Sequence, residues 1–248
     1  MNPVKPYNAE GSKKEQVAHM FNAISKRYDV LNRTLSLGID VLWRRRTVAA
    51  VRKMGAKDIL DVATGTADLA IALHRGIAGS RVQGVDISAG MLDVGREKIT
   101  RRGLDPHIPL HLGDGESLPF ENASFDVVTV AFGVRNFEHL EQGLRDMKRV
   151  LRPGGSLAVL EFSQPESFPF RPLYFFYFKH ILPTIGTWVS KDSSAYTYLP
   201  ASVEAFPYGD AFAQKLKEAG FTHVQIRPLT FGVASLYVAH TESATLAF

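Results

Sequence analysis

Residues 59–69 read Ile59-Leu60-Asp61-Val62-Ala63-Thr64-Gly65-Thr66-Ala67-Asp68-Leu69, and they constrain the fold more than any other stretch of this chain. A short apolar run ends in an acid, passes through a turn of small residues and resumes as a helical pattern at Leu69, Ala70 and Leu73. A strand that turns this tightly into a helix leaves bare backbone amides where a ligand can approach. A second apolar run, Val82-Gln83-Gly84-Val85-Asp86, also ends in an acid. Amides at one strand end and a carboxylate at the next form the pairing that a ribose-bearing cofactor requires.

The rest of the chain extends the pattern. Strand-like runs at 58–62, 81–86, 108–112, 125–131 and 155–162 alternate with helical stretches, the last at 138–151. Such alternation predicts an α/β, Rossmann-like fold with a mostly parallel sheet and helices on both faces. Arg152-Pro153-Gly154-Gly155 is a turn signal that divides helix 138–151 from the strand after it. The final third predicts a helix at 209–219, a strand at 221–227 and a last strand at 231–240, the two strands pairing antiparallel across a turn at 227–231.

Ahead of the sheet, residues 1–14 read as a flexible lead-in. Residues 15–248 are expected to form one domain. Its helical N-terminal part, 15–54, carries Val17, Met20, Phe21, Ile24, Leu31, Leu35, Val41 and Leu42 at helical spacing, with breaks expected near Asp29 and Gly38. An insertion at 163–208 holds Phe168, Phe170, Tyr174, Phe175, Phe176, Tyr177, Phe178, Trp188, Tyr196, Tyr198, Phe206 and Tyr208. Long insertions after a core strand are usually functional. Aromatics in this number suit a long apolar substrate or a membrane interface as well as core packing.

The candidate site residues all fall at carboxyl ends of predicted parallel strands, where open α/β sheets bind ligands. Gly65 and Thr66 belong to the first turn, and Asp86 is placed for ribose hydroxyls, although Ser88 after it makes a helix cap an alternative. Asp114, with Gly115 beside it, follows the third strand and is placed for an adenine amino group, a turn being the competing reading. Arg135 and Asn136 follow Gly133 at the end of the fourth strand and are the catalytic candidates; pairing of Arg135 with Glu138 on a surface helix is the plainer alternative. The three-glycine dinucleotide fingerprint is incomplete, since Ala67 and Asp68 stand where its third glycine belongs. That departure favours a cofactor without a pyrophosphate, of which S-adenosylmethionine is one, over a nicotinamide dinucleotide.

Composition narrows the chemistry. There are no cysteines among the 248 residues, so disulfides, thiolate nucleophiles and Cys-ligated metals are excluded. His19, His139 and His180 lack metal-ligand spacing, and no metal site is expected. A net charge of +4, with one dense basic cluster at Trp43-Arg44-Arg45-Arg46, points to a solvated surface rather than to nucleic acid. Residues 1–16 lack the apolar segment of a secretory leader, and no apolar run reaches the roughly 18 residues of a spanning helix.

Read together, these segments resemble the ubiquinone/menaquinone biosynthesis C-methyltransferases. The resemblance runs from Val17 to Ala239 and rests on Tyr28-Asp29-x-x-Asn32, Leu42-Trp43-Arg44, the 61–68 turn, Phe132-Gly133-Val134-Arg135-Asn136 and Arg152-Pro153-Gly154-Gly155. More specific are Glu161-Phe162-Ser163-Gln164-Pro165, Tyr177-Phe178-Lys179 and Leu199-Pro200-x-Ser202-Val203-x-Ala205-Phe206-Pro207. The resemblance implies S-adenosylmethionine as cofactor, with contacts at Thr66, Asp86, Asp114 and Gly115. It implies methylation of a ring carbon of a reduced polyprenylated quinone, demethylmenaquinol ahead of a benzoquinol. It further implies a cytoplasmic enzyme peripheral at the inner face of the membrane, with Lys179 and Lys191 suited to anionic headgroups; a homo-oligomer is compatible. Competing readings are a methyltransferase for another lipid or phenol, a nicotinamide oxidoreductase and a membrane-binding module without activity.

Overall fold

Ser12 starts the first helix. Its side chain accepts from the Glu15 amide while the Glu15 carboxylate accepts from the Ser12 amide, a reciprocal capping box. The helix, α1 (Lys13–Leu35), buries Val17, Met20, Ile24 and Leu31 along one stripe and runs unbroken through Asp29. The break expected near Asp29 is therefore absent: Asp29 is held by Thr66 and Lys98 from outside the helix, so it has no need to leave it. The break near Gly38 is present, where Leu37 and Gly38 both take positive φ before α2 (Ile39–Lys53).

In the computed structural model, which describes residues 4–7, 10–177 and 194–242, seven strands form one sheet. They are β1 (Asp58–Val62), β2 (Arg81–Asp86), β3 (Leu110–Leu112), β4 (Phe125–Ala131), β5 (Leu151–Phe162), β6 (Thr222–Leu229) and β7 (Ala234–His240). Their order is β3-β2-β1-β4-β5-β7-β6; the first five are parallel, and β7 lies antiparallel between β5 and β6. The expected mostly parallel sheet with an antiparallel C-terminal end is thus present. The order reverses direction between β1 and β4, which makes the carboxyl ends of those strands the switch point where a crevice opens.

Helices α3 (Asp68–Gly76), α4 (Ala89–Thr100), α5 (Leu140–Val150) and α8 (Asp210–Glu218) complete the layers, with α6 (Phe170–Phe176) and α7 (Ser194–Ala205) in the insertion. One core packs Leu144 and Met147 of α5 and Phe212 and Leu216 of α8 against Val128, Leu157 and Tyr237. The other packs Trp43, Leu69, Leu73 and Ile99 against Ile59, Val82 and Leu160. Both faces of the sheet are covered, as continuous apolar parallel strands require.

Two turn signals fall elsewhere than expected. Arg152-Pro153-Gly154-Gly155 does not precede the strand but lies inside β5, as a bulge over which the register jumps from Phe125↔Leu151 to Val127↔Ser156. The turn chemistry is as read, with Gly154 at φ 78°, and the bulge directs Arg152 onto Asp58 and Asp126. The turn after β6 falls at Thr230–Gly232, later than 227–231, because Pro228 is tolerated at the edge of the sheet.

Candidate functional site

The turn after β1 is built on alternating left-handed residues: Ala63, Gly65 and Ala67 have φ of 50°, 56° and 63°. That conformation costs energy for a residue with a Cβ and has to be held by its surroundings. Asp61 holds it from below. Its carboxylate accepts from Thr64 Oγ1 at 2.6 Å and Thr129 Oγ1 at 2.7 Å, and it is almost wholly buried. Burial pushes this carboxyl up to about 6, against the pull of the two hydroxyls and with help from Asp86.

Asp86 holds the turn from the side. One carboxylate oxygen accepts from the Gly65 amide and the other from the Ser88 amide, each at 2.8 Å. The carboxyl is buried, which raises its pKa, and the amides of Ser88 and Gly65 oppose the rise. The cap reading is met through Ser88, whose own hydroxyl accepts from Met91 at the start of α4.

A small cavity of about 70 Å³ lies over this turn, lined by Gly65, Asp86, Asp114, Gly115 and Asn136, with Lys14, Val17, Phe21 and Tyr28 of α1 closing it. Five of the seven residues expected from the sequence therefore meet in one place. Thr66 is elsewhere: its hydroxyl donates to Asp29 at 2.5 Å and accepts from Lys98 at 2.9 Å, and its side chain is absent from the lining. Arg135 faces a second cavity.

That second cavity is larger, about 600 Å³, and mostly apolar, with Met20, Ile24, Leu31, Trp43, Phe162, Tyr174 and Tyr198 among its walls. Phe21, Tyr28 and Phe132 line both cavities, so these three side chains mark where the spaces adjoin. Arg135 Nη1 donates to Glu161 Oε1 at 3.0 Å and to the Phe132 carbonyl, and the guanidinium carbon lies 5.4 Å from the centre of the Phe162 ring. Its partner is thus Glu161, not Glu138. Glu161 has no exposed surface; burial raises its carboxyl even though Arg135 draws it down. Arg135 Nε and Asn136 Oδ1 are buried without a hydrogen-bond partner.

Two lysines beside the site, Lys13 and Lys14, carried no assignment from the sequence. Lys13 Nζ donates to the carbonyls of Arg135 (3.0 Å) and Phe137 (2.8 Å), pinning the turn Val134–Asn136, and burial lowers its pKa to about 8. Lys14 Nζ pairs with Asp114. The amides of both lysines reach the Glu138 carboxylate, which anchors the start of α1 on this site. The Ser12-x-x-Glu15 capping signal is the one feature that could have placed these lysines on a helix. Among the described residues no group of His, Asp and Glu side chains is placed to hold a metal. Phe178, Lys179, His180, Trp188 and Lys191 lie outside the described residues.

A crevice at the switch point, a buried acid at the end of β2 and a sheet ending in an antiparallel strand define an α/β fold able to bind a ligand there without naming its chemistry. The comparison with known proteins decides it: residues 9–241 match the model of the ubiE/COQ5 methyltransferase family. The chain belongs to that family. It is an S-adenosylmethionine-dependent methyltransferase. It is 46% identical over 236 residues to the demethylmenaquinone methyltransferase of Bacteroides fragilis, covering 95% of this chain and 96% of that one. It is 43% identical over 226 residues to the ubiquinone/menaquinone biosynthesis C-methyltransferase UbiE of Geotalea daltonii, covering 91% and 96%. Among solved structures, a SAM-dependent methyltransferase from Aquifex aeolicus shares the fold with a TM-score of 0.57 at 18% identity, covering 78% of this chain and 88% of that one. Membership fits the small cavity on its own terms: an open Gly65 backbone, the three carboxylates of Asp86, Asp114 and Glu116 and an unpartnered amide oxygen suit a ligand rich in hydroxyl and amino groups.

Proposed function

We propose that this methyltransferase methylates a ring carbon of a reduced polyprenylated naphthoquinone, demethylmenaquinol, giving menaquinol. The observation that carries the reading is the adjoining pair of cavities, a small polar one at the cofactor turn and a large apolar one that contains the buried Arg135. The names of the relatives support the same substrate, and the Geotalea name extends to the benzoquinol pathway.

S-adenosylmethionine, when bound, supplies an electrophilic methyl group. Asp86 and Asp114 would hold its ribose and adenine, and Gly65 and Gly115 would let it approach the backbone. Thr66 would shape the turn through Asp29 and Lys98. The quinol ring carbon is a weak nucleophile until the neighbouring hydroxyl loses its proton, which places charge on the ring oxygen and density on the carbon. Arg135, fixed by Glu161 and the Phe132 carbonyl, offers its unpartnered Nε to that oxyanion in a site shielded from water. Asn136 lies on the cofactor side of the same turn and orients ligand groups. The hydroxyl proton would leave to water at the cavity mouth; after methyl transfer the methylated carbon loses its proton and the ring oxygen takes one back, so that one proton is released per methyl group and the cofactor departs as neutral S-adenosylhomocysteine.

The isoprenoid tail would run out of the large cavity past Leu37, Leu173, Phe176 and Phe231, which line it and are more than half exposed. Phe168, 87% exposed, lies just ahead of α6 in the chain, and Arg171 stands on that helix. An apolar rim with a nearby cation suits peripheral contact with an anionic bilayer surface. Among the described residues no helix is long and apolar enough to cross a membrane.

The test is methylation of demethylmenaquinol in liposomes, followed by mass spectrometry of the quinone product. Failure with every reduced quinone, with turnover of another phenol, overturns the reading. Arg135→Ala separates the two cavities: S-adenosylmethionine affinity stays near normal while turnover collapses, whereas equal loss of both would remove Arg135 from the role given to it.

A further inference from the structure

Tyr198 occupies an unusual position on α7. That helix packs against the turn Val134–Asn136, so Tyr198 is brought to the element that carries Arg135. The ring is 4% exposed, packs with Met20, Ile24 and Leu31 of α1, and lines the large cavity. Its hydroxyl is shut off from solvent and has no hydrogen-bond partner. Buried polar groups are almost always satisfied, and an orphan in a cavity wall calls for a partner that arrives with a ligand. Burial raises its pKa to about 12, with Arg135 drawing it down, so near neutral pH the phenol keeps its proton and can only donate or accept a hydrogen bond. The same cavity holds a second orphan donor, the Nε of Arg135.

We propose that Tyr198 is a substrate-binding residue that donates its hydroxyl to the second ring oxygen of the quinol, the one para to the oxygen attended by Arg135. Two unpartnered donors on one apolar cavity then select rings that carry two oxygens over simple phenols. This specificity rests on the quinol reading above, and it assigns a task to a residue that the methyl transfer itself does not require.

The experiment uses the whole protein and two short-tailed probes, a prenylated naphthalenediol and its analogue lacking the oxygen para to the reacting hydroxyl. Binding of each is followed by fluorescence quenching without cofactor, and KM is measured with it. In Tyr198→Phe the ratio of the two affinities falls about tenfold, the worth of one hydrogen bond in a dry site. The melting temperature does not fall, because an unsatisfied hydroxyl has been removed. An unchanged ratio overturns the proposal, as does a lowered melting temperature, which would give the hydroxyl to the fold. If the unaltered protein neither binds nor methylates the diol, the quinol reading itself fails, and the two failures are distinguishable.

Discussion

Glu161, at the end of β5 and without exposed surface, holds Arg135 of the neighbouring strand's terminal turn through a 3.0 Å ion pair. The pair aligns the guanidinium for the large cavity and leaves its Nε unpartnered. Removing one member of a buried pair strands the other charge at a cost of about 3–5 kcal/mol. Glu161→Gln keeps the shape and loses the charge. It is expected to lower the melting temperature and to cut kcat far more than it weakens S-adenosylmethionine binding. Calorimetry beside steady-state kinetics checks this, and unchanged kcat would show that Arg135 needs no anchor.

Lys14 joins α1 to the wall of the small cavity through Asp114, with Glu116 3.4 Å away. A partly exposed pair contributes little to global stability, so its effect should be local. Lys14→Met is expected to weaken S-adenosylmethionine binding about three- to tenfold through faster dissociation, with the melting temperature of the free protein nearly unchanged. Stopped-flow displacement measures it; unaltered dissociation would separate α1 from cofactor retention.

Asp61 supplies a pH dependence. Its folded pKa of about 6 lies above the ordinary 3.8, so the folded protein binds the extra proton. The stability from this group is present below the unfolded value and lost as pH rises through the folded one. The shift of about 2 units corresponds to about 3 kcal/mol. The difference in unfolding free energy between wild type and Asp61→Asn should therefore fall by about 2 kcal/mol between pH 4 and pH 7, read by denaturant titration. A pH-independent difference would contradict the buried charge.

Gly133 has φ of −106°, so the left-handed region does not explain it; close approach does. A Cβ there would lie 2.6 Å from the Ala63 Cβ, where the end of β4 meets the turn after β1. Gly133→Ala should cost about 1–3 kcal/mol. Ala63→Gly relieves a positive φ and should stabilise slightly; combined, the two changes should recover most of the loss. A double-mutant cycle in urea measures the coupling, and simple additivity would mean the two positions do not meet.

Much of this arrangement was readable along the chain. The acids at Asp61 and Asp86 close two successive apolar runs, and their distance in sequence is one strand–helix–strand unit. The place of Arg135 at the carboxyl end of β4 was readable, though its partner was not: Glu138 is close in sequence, while Glu161 arrives from the next strand. The long apolar periodicity of α1 was legible, yet Asp29 looked like a break because only a tertiary partner, Lys98, makes a mid-helix aspartate comfortable there.

The sequence by itself determined the α/β class, the strand–turn–helix at residues 59–69 and the acids beside it, because local spacing and turn chemistry decide such a unit. Tertiary structure alone decided that Lys14 reaches Asp114, that Thr66 faces Asp29 and Lys98 rather than the cavity, and that Tyr198 is left with an orphan hydroxyl beside Arg135. Those facts depend on which distant segments pack together and on what their burial leaves unpaired, and no spacing along a single chain records either.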